Sequence, residues 1–121
     1  MLFRSTAAGW GRIVNVSGLN ARATGNLVGT VRNVAVAAMT ANLAQELGPD
    51  GINVTVVHPG RTVTERTPPE VAAAPADTRI GRLVTAAEVA DVVAFLCSPR
   101  SVAITGDAVA VGGGARGAIH Y

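Results

Sequence analysis

Three short runs rich in β-branched residues, separated by longer helical patterns, limit how this chain can fold. The runs cover residues 11–18, 52–57 and 106–114, and glycine or proline follows or closes each one. Short buried strands of this composition are typical of parallel sheets, in which neighbouring strands need a long crossover connection, usually a helix. The pattern predicts an α/β fold with three parallel strands and two main helices.

Two helices are predicted between and after the first two strands. From about Val28 to Leu47, apolar residues recur at intervals of three and four, and Gly48-Pro49 then ends the helix. Thr85 and Glu88 form a capping-box pattern before a second apolar helical run, which Ser98-Pro99 stops. Between them, residues 61–83 carry three prolines and little periodicity, which predicts a long loop that could hold a helical turn.

Composition narrows the class of protein. With 49% apolar and 15% charged residues, the chain of 121 residues is expected to be one globular domain or part of one. The arginines are scattered and only 3% of residues are aromatic, which argues against a nucleic-acid partner. No uninterrupted apolar run approaches the ~20 residues that span a bilayer, and no secretory signal precedes the domain, so a cytoplasmic protein without a membrane partner is expected.

The chain has little metal-binding or thiol chemistry. Its single cysteine, Cys97, lies in an apolar helical pattern and is expected to be a buried structural thiol. His58 has no ligand spacing to His120, so we expect it to be packed or solvated and expect no metal site.

Residues 9 to 114 resemble the C-terminal half of a short-chain dehydrogenase/reductase. GRIVNVSG resembles the strand before the family's catalytic serine, and Pro59, Gly60 and Thr64 fit its proline-glycine-x-x-x-threonine motif. RLVTAAEVADVVAFLCSP and ITGDAVAVGGG resemble the last helix and strand. The resemblance implies the C-terminal half of a Rossmann-like doubly wound domain. The family joins its last two strands by a left-handed crossover, which implies that helix 86–97 lies opposite the first helix.

The resemblance also implies a domain organisation. Residues 9–121 are expected to be a partial domain that lacks the N-terminal dinucleotide-binding half. Residues 1–8 are expected to be a non-native or disordered leader, because Leu2 to Ser5 is what a common sequencing-adapter string would encode. The later GGGARG follows a strand but opens no helix, so it does not replace the family's glycine-rich phosphate loop.

The family's catalytic positions hold other residues in this chain. Counting back from Pro59-Gly60 puts the tyrosine at Gly29, the lysine at Asn33 and the serine at Gly18, with Ser17 beside it as a candidate catalytic residue. All ten basic residues are arginine and the only tyrosine is Tyr121, so no shift of alignment restores the pair. In the family the tyrosine is the general acid or base, the lysine lowers its pKa and holds the ribose, and the serine orients the substrate.

Because a positioned acid–base group contributes roughly 100- to 10,000-fold to rate, the family's reaction is expected to be largely lost. Two readings stay open. In one, the chain is a fragment or divergent member of an NAD(P)-dependent dehydrogenase and is inactive alone. In the other, it is a non-catalytic relative that serves oligomerisation or ligand binding.

The resemblance implies NAD or NADP as cofactor, although binding by this chain alone is doubtful without the glycine-rich half. The implied cofactor-binding residues are Asn33, Pro59, Gly60, Thr62 and Thr64. Residues 61–83 would form the substrate lid. A homodimer or homotetramer is implied through helix 28–47 and the C-terminal strand. Small residues of that helix would permit close approach: Gly29, Ala35, Ala37, Ala38 and Ala41.

Overall fold

The computed structural model describes residues 2–117 and residue 119, so His120 and Tyr121 lie outside the described residues. The strands are β1 (Gly11–Val16), β2 (Ile52–Pro59), β3 (Thr62–Val63), β4 (Val84–Thr85) and β5 (Ala108–Val111). The α-helices are α1 (Leu2–Ala8), α2 (Leu27–Leu47), α3 (Pro69–Ala73) and α4 (Ala86–Cys97). Short 3₁₀ helices cover Leu19–Arg22, Gly48–Asp50 and Pro99–Ser101.

The main sheet has three parallel strands in the order β1-β2-β5, as the sequence predicts. Gly11 pairs with Ile52 at the start of β1, and Pro59 pairs with Val111 at the end of β5. The central strand β2 is buried from Ile52 to His58 because it has a neighbour on each side and a helix over each face. The predicted α/β class and both main helices are confirmed.

The two long helices cover opposite faces of the sheet. Asn15 donates from Nδ2 to Oγ1 of Thr40 on α2 at 3.0 Å, whereas Arg12 donates from Nε to the Ser98 carbonyl at the end of α4 at 3.4 Å. Side chains three apart on a strand point to opposite faces. Helix α4 therefore lies across the sheet from α2, as the resemblance implies.

Helix α2 does not turn its most apolar stripe towards the sheet. The residues buried on it are small or polar: Gly29, Asn33, Thr40 and Ala44. Of these, Ala44 joins Ile52 and Val54 in the core. The periodic apolar residues Val31, Val34 and Met39 are exposed, with 60% of Val31 accessible. The chain thus leaves an apolar face of α2 uncovered within the described residues.

The N-terminal residues form a helix where disorder was expected. Helix α1 ends at Ala8, the φ of 66° at the following Gly9 lies in the left-handed region, and the Trp10 amide donates to the Ser5 carbonyl at 3.3 Å. This C-terminal turn satisfies carbonyl groups that a frayed helix end would leave open. Residues 2–8 are thus helical in the structure, and the expectation of a non-native or disordered leader stays a prediction.

The long loop is more structured than predicted. Helix α3 is the helical turn that the sequence allowed, but the loop also ends in a second, two-stranded parallel sheet in which Thr62 pairs with Val84. Strands of two residues carry too few positions for periodicity to reveal them. This small sheet ties the two ends of the loop together.

Cys97 is exposed, so the prediction of a buried thiol is wrong. Helix α4 lies on the surface of the sheet and turns Leu96, only 2% exposed, inwards. Successive helical residues are about 100° apart around the axis, so the residue after Leu96 points away from the core.

Candidate functional site

The carboxyl ends of the three parallel strands meet at one edge of the sheet, where a cavity of about 470 Å³ opens. Ligands of open α/β sheets bind at this edge. Four segments line the cavity: residues 18–20 with 23, residues 59–61, residues 76–78 with 83, and residues 112 with 114–115. The first segment follows β1, and the second runs from the last residue of β2 into the turn after it. The third belongs to the long loop, and the fourth follows β5.

The structure brings together Gly18 and Asn33, the residues that the resemblance places at the family's serine and lysine positions. A β-carbon on Gly18 would stand 3.0 Å from Nδ2 of Asn33 and 4.0 Å from the Pro59 carbonyl oxygen. Asn33 is only 7% exposed, and its amide makes no hydrogen bond among the described residues. This unpartnered amide is not fully enclosed, so it can meet a ligand or water. It lies beside Gly18 at the edge of the cavity.

The position of the family's tyrosine is covered by a capping residue. Asn26 accepts the Gly29 amide through Oδ1 at 2.9 Å and thereby caps the start of α2. A β-carbon on Gly29 would approach the three terminal atoms of that same amide to 2.9–3.1 Å. Gly29 is therefore packed inside its own chain rather than presented to a partner helix.

Ser17 uses its polar groups within the fold. Its backbone amide donates to the Val57 carbonyl at 2.8 Å, and its hydroxyl donates to the Asn33 carbonyl at 3.4 Å. It does not line the cavity, and no imidazole or carboxylate hydrogen-bonds its hydroxyl among the described residues. Its hydroxyl is thus engaged within the fold, and a role of Ser17 in orienting a substrate stays a prediction.

The cofactor-binding residues predicted after β2 divide into two groups. Pro59 and Gly60 line the cavity. Thr62 donates its hydroxyl to the Gly60 carbonyl at 2.9 Å, and Thr64 accepts from the Arg66 amide at 3.3 Å, so both hydroxyls serve the loop itself. Neither threonine lines the cavity, and their contact with a cofactor stays a prediction.

Two glycines let the backbone around the site pack closely. A β-carbon on Gly60 would stand 2.8 Å from Cα of Gly112, and one on Gly112 would collide with Leu19. The Gly60 amide donates to the Val111 carbonyl at 2.9 Å. The turn after β2 and the end of β5 are thus in direct backbone contact, which a larger residue at either position would force apart.

The tip of the long loop is fastened to the segment that follows β5; we call these two segments, 76–82 and 113–116, the clasp. The Arg79 amide donates to the Gly114 carbonyl at 2.8 Å and the Ile80 amide to the Gly113 carbonyl at 3.2 Å. Arg116 forms an ion pair with Asp77 at 3.3 Å. The clasp supplies one wall of the cavity. Nothing in the local sequence signals it, because its two halves are more than 30 residues apart.

One buried titratable group lies close to the site. His58, at the end of β2, is 1% exposed, and its Nδ1 atom has no partner among the described residues. Burial lowers its pKa below the usual 6.5, and the positive charge of Arg22 lowers it further. Of the two expectations for His58, packed or solvated, the structure shows the packed one.

No group of three or more histidine, cysteine, aspartate or glutamate side chains within the described part of the chain is placed to hold a metal ion. By length and composition alone, the helix over residues 27–50 is long and apolar enough to cross a membrane. Core helices of globular domains can be equally long and apolar, and in this chain Thr40 and Ala44 pack that helix against the sheet.

Comparison with known proteins agrees with the fold. A family described as enoyl-(acyl carrier protein) reductase matches residues 2–116. The short-chain reductase protein NovJ of Streptomyces niveus is 35% identical over 118 residues, which cover 88% of this chain and 45% of that protein. The chain therefore spans less than half the length of this relative.

Solved structures give the same result. A 3-oxoacyl-[acyl-carrier protein] reductase from Brucella melitensis superposes with a TM-score of 0.82 at 35% identity, over 95% of this chain and 46% of that chain. A second reductase from Brucella melitensis, with bound NAD, superposes with a TM-score of 0.80 at 37% identity, over 95% of this chain and 44% of that chain. The matched family, the reductase relatives and the Rossmann-like sheet together show that the chain belongs to the short-chain dehydrogenase/reductase family.

Proposed function

We propose that this chain is the part of an NAD(P)-dependent dehydrogenase domain that forms the nicotinamide end of the site, and that it has lost the family's proton transfer. One observation supports the proposal: Gly18, Gly29 and Asn33, which the resemblance places at the family's three catalytic positions, lie in a backbone frame that superposes on a reductase of the family. Glycine has no proton to donate, and the neutral amide of asparagine carries no charge that would lower the pKa of a neighbour.

The residues present fit one end of a dinucleotide. The unpartnered amide of Asn33 can donate to and accept from ribose hydroxyls, and Pro59 and Gly60 offer backbone groups at the cavity. When bound, the nicotinamide ring supplies hydride chemistry. The chain's own residues would orient that ring and exclude water, and the proton would have to come from another source.

The test is a titration of the full chain with NADH and with NADPH, followed by an assay with carbonyl substrates. We expect dinucleotide binding that is weak but measurable, because the chain has no glycine-rich phosphate loop, and we expect no turnover. Asn33→Leu keeps similar volume but removes the hydrogen-bonding amide, so it should weaken binding, whereas Asn42→Leu on the exposed side of α2 should not. Turnover at a rate normal for the family would disprove the loss of chemistry, and absence of dinucleotide binding would disprove the cofactor role.

A second candidate is a non-catalytic role in self-association. The exposed apolar residues Val31, Val34 and Met39 of α2 support it, as does the outer edge of β5, which pairs with no further strand among the described residues. We expect a homodimer or homotetramer in which helix 28–47 and the C-terminal strand are buried. Of the small residues expected to permit close approach, Ala35, Ala38 and Ala41 are exposed, whereas Gly29 is buried in its own chain.

Sedimentation of the full chain tests this candidate. A monodisperse oligomer that Val34→Glu dissociates, with no dinucleotide binding, would favour self-association over the cofactor role. A monomer at all concentrations would contradict it.

We further propose a cytoplasmic location, which cell fractionation checks: recovery of the protein with membranes or in the secreted fraction would contradict it.

A further inference from the structure

We propose that the cavity binds an anionic group, a carboxylate or a phosphate, and that the guanidinium of Arg61 is its counter-charge. Only two of the residues that line the cavity, Arg61 and Asp77, carry a charge. Asp77 is paired with Arg116, and 89% of its side chain is exposed to solvent. The negative charge of Asp77 is therefore compensated by Arg116, which does not line the cavity, and Arg61 supplies the net charge of the cavity.

The guanidinium of Arg61 has no partner within the described residues. Neither an ion pair nor a hydrogen bond from its side chain is present there. A guanidinium presents five N–H donors in a planar fork that matches carboxylate and phosphate oxygens, often in pairs. A cation that no protein group compensates, at a concave surface otherwise lined mainly by glycine, alanine and proline, is suited to a ligand that brings the opposite charge.

The backbone that carries Arg61 is fixed on both sides. Before it, the Gly60 amide donates to Val111, and the Gly60 backbone lies against Gly112. After it, Thr62 pairs with Val84 and donates its hydroxyl back to the Gly60 carbonyl at 2.9 Å. The position from which the arginine side chain extends is thus defined, which reduces the entropy that must be lost when the guanidinium orders around a ligand.

Three further arginines lie on the clasp, and two of them, Arg79 and Arg116, bond its backbone. Arg79 donates from Nε to the Ala115 carbonyl at 3.1 Å, and Arg116 donates from Nε to the Thr78 carbonyl at 3.3 Å. Because these guanidinium groups already bond the clasp, we assign them to the positive potential around the opening, which attracts anions, rather than to direct binding.

Two sources could supply the anion: the diphosphate of a dinucleotide, or an acidic substrate. The proposal rests on the proposed function in that it places a ligand in this cavity. The experiment measures binding of four probes to the full chain at constant ionic strength: inorganic phosphate, malonate, NADH and nicotinamide riboside, which has no phosphate. The variants are Arg61→Gln, Arg61→Lys and, as matched control, Arg66→Gln. Arg66 is an exposed arginine of the same loop that does not line the cavity.

We expect Arg61→Gln to weaken binding of phosphate and malonate by roughly tenfold or more, since hydrogen bonds between charged groups are among the stronger ones. The affinity of Arg61→Lys should lie between those of the unchanged chain and of Arg61→Gln, because lysine keeps the charge but lacks the planar fork of donors. Arg66→Gln should bind the anions as the unchanged chain does. A parallel loss for NADH but not for nicotinamide riboside identifies the diphosphate as the source. A loss for malonate with NADH unaffected identifies an acidic substrate. Unchanged unfolding midpoints exclude misfolding.

The outcomes separate the two proposals. NADH binding that is intact in Arg61→Gln, together with unchanged phosphate and malonate binding, overturns the role of Arg61 and leaves the proposed function standing. Phosphate binding that depends on Arg61, in a chain that never binds NADH, supports the anion site and overturns the cofactor role. Equal losses in Arg61→Gln and Arg66→Gln indicate general charge screening and overturn the anion site, as does the absence of any anion binding.

Discussion

The side-chain amide of Asn33 occupies space that a side chain on residue 18 would need: its Nδ2 atom lies 3.0 Å from where a β-carbon on Gly18 would stand. The residues at the family's serine and lysine positions therefore depend on each other in this chain. Asn26 stands in the same relation to Gly29 at the tyrosine position. A serine at position 18 or a tyrosine at position 29 would therefore require the neighbouring asparagine amide to move.

We predict that Gly18→Ser destabilises the protein by about 1 kcal/mol, the low end of overpacking, because the obstructing atom is the end of the Asn33 side chain and can move. In an Asn33→Ala background the same change should cost less than about 0.5 kcal/mol, because the obstructing amide is gone. Chemical denaturation of the four proteins gives the coupling energy, which should be on the order of 1 kcal/mol. Gly48→Ser is the control, since a β-carbon there meets nothing within 4 Å. Additive effects at 18 and 33 would contradict the dependence.

Asn26 should matter more for stability than an asparagine elsewhere on the same helix. Asn26→Ala removes the side-chain oxygen that accepts the Gly29 amide, and loss of such a cap costs about 1 kcal/mol. Asn42→Ala removes only an exposed bond to the Ala38 carbonyl and should change the free energy of unfolding by less than about 0.5 kcal/mol. Denaturation midpoints compare the two, and equal effects would rule out a special role for the cap.

The features predicted correctly from the sequence are those that neighbouring residues determine. The capping box at the start of α4 involves only Thr85 and Glu88, and the structure has both of its hydrogen bonds. The strand runs are recognisable because a central parallel strand such as β2 is buried on both faces and needs apolar residues throughout. Structure that a short stretch of sequence determines can be predicted without knowing what packs against it.

The features that were missed depend on distant partners. Periodicity finds an apolar stripe on α2 but not what that stripe meets, and the sheet instead receives Thr40, which is bonded to Asn15. The exposure of Cys97 follows from which side of α4 touches the sheet. The clasp joins Thr78 to Ala115, and no local pattern predicts such a pairing. The resemblance points to Gly18 and Asn33 in the sequence, but only the fold shows that one lies against the other.

Glu88 should contribute to acid stability in a defined window. A hydrogen bond from Arg82 and a second from the Thr85 amide hold its pKa at about 2, well below the usual 4.5. A depressed carboxyl pKa means stabilisation that is fully present above pH 4.5 and is lost as the pH falls towards 2. Glu88→Gln keeps a capping-box side chain but cannot ionise.

The measurement for Glu88 is the denaturation midpoint as a function of pH. The difference between the unchanged chain and Glu88→Gln should be constant above pH 4.5 and should shrink between pH 4.5 and 2. Both partners are exposed, so added salt should also reduce the difference at neutral pH. A difference independent of pH would show that the ionised carboxylate does not stabilise the fold.

His58 should make stability depend on pH in a higher window. Its pKa is lowered in the folded state by burial and by the charge of Arg22, so the fold favours the neutral ring. As the pH falls below 6.5, the unfolded chain takes up a proton that the folded chain does not, and stability is lost until the folded-state pKa is reached. Stability should therefore rise with pH through this window. His58→Gln should remove that slope, whatever its effect on absolute stability, and His120→Gln, which changes the chain's other histidine, should retain it. Denaturation midpoints measured from neutral pH downwards decide the matter: an identical slope in His58→Gln would mean that another group titrates there.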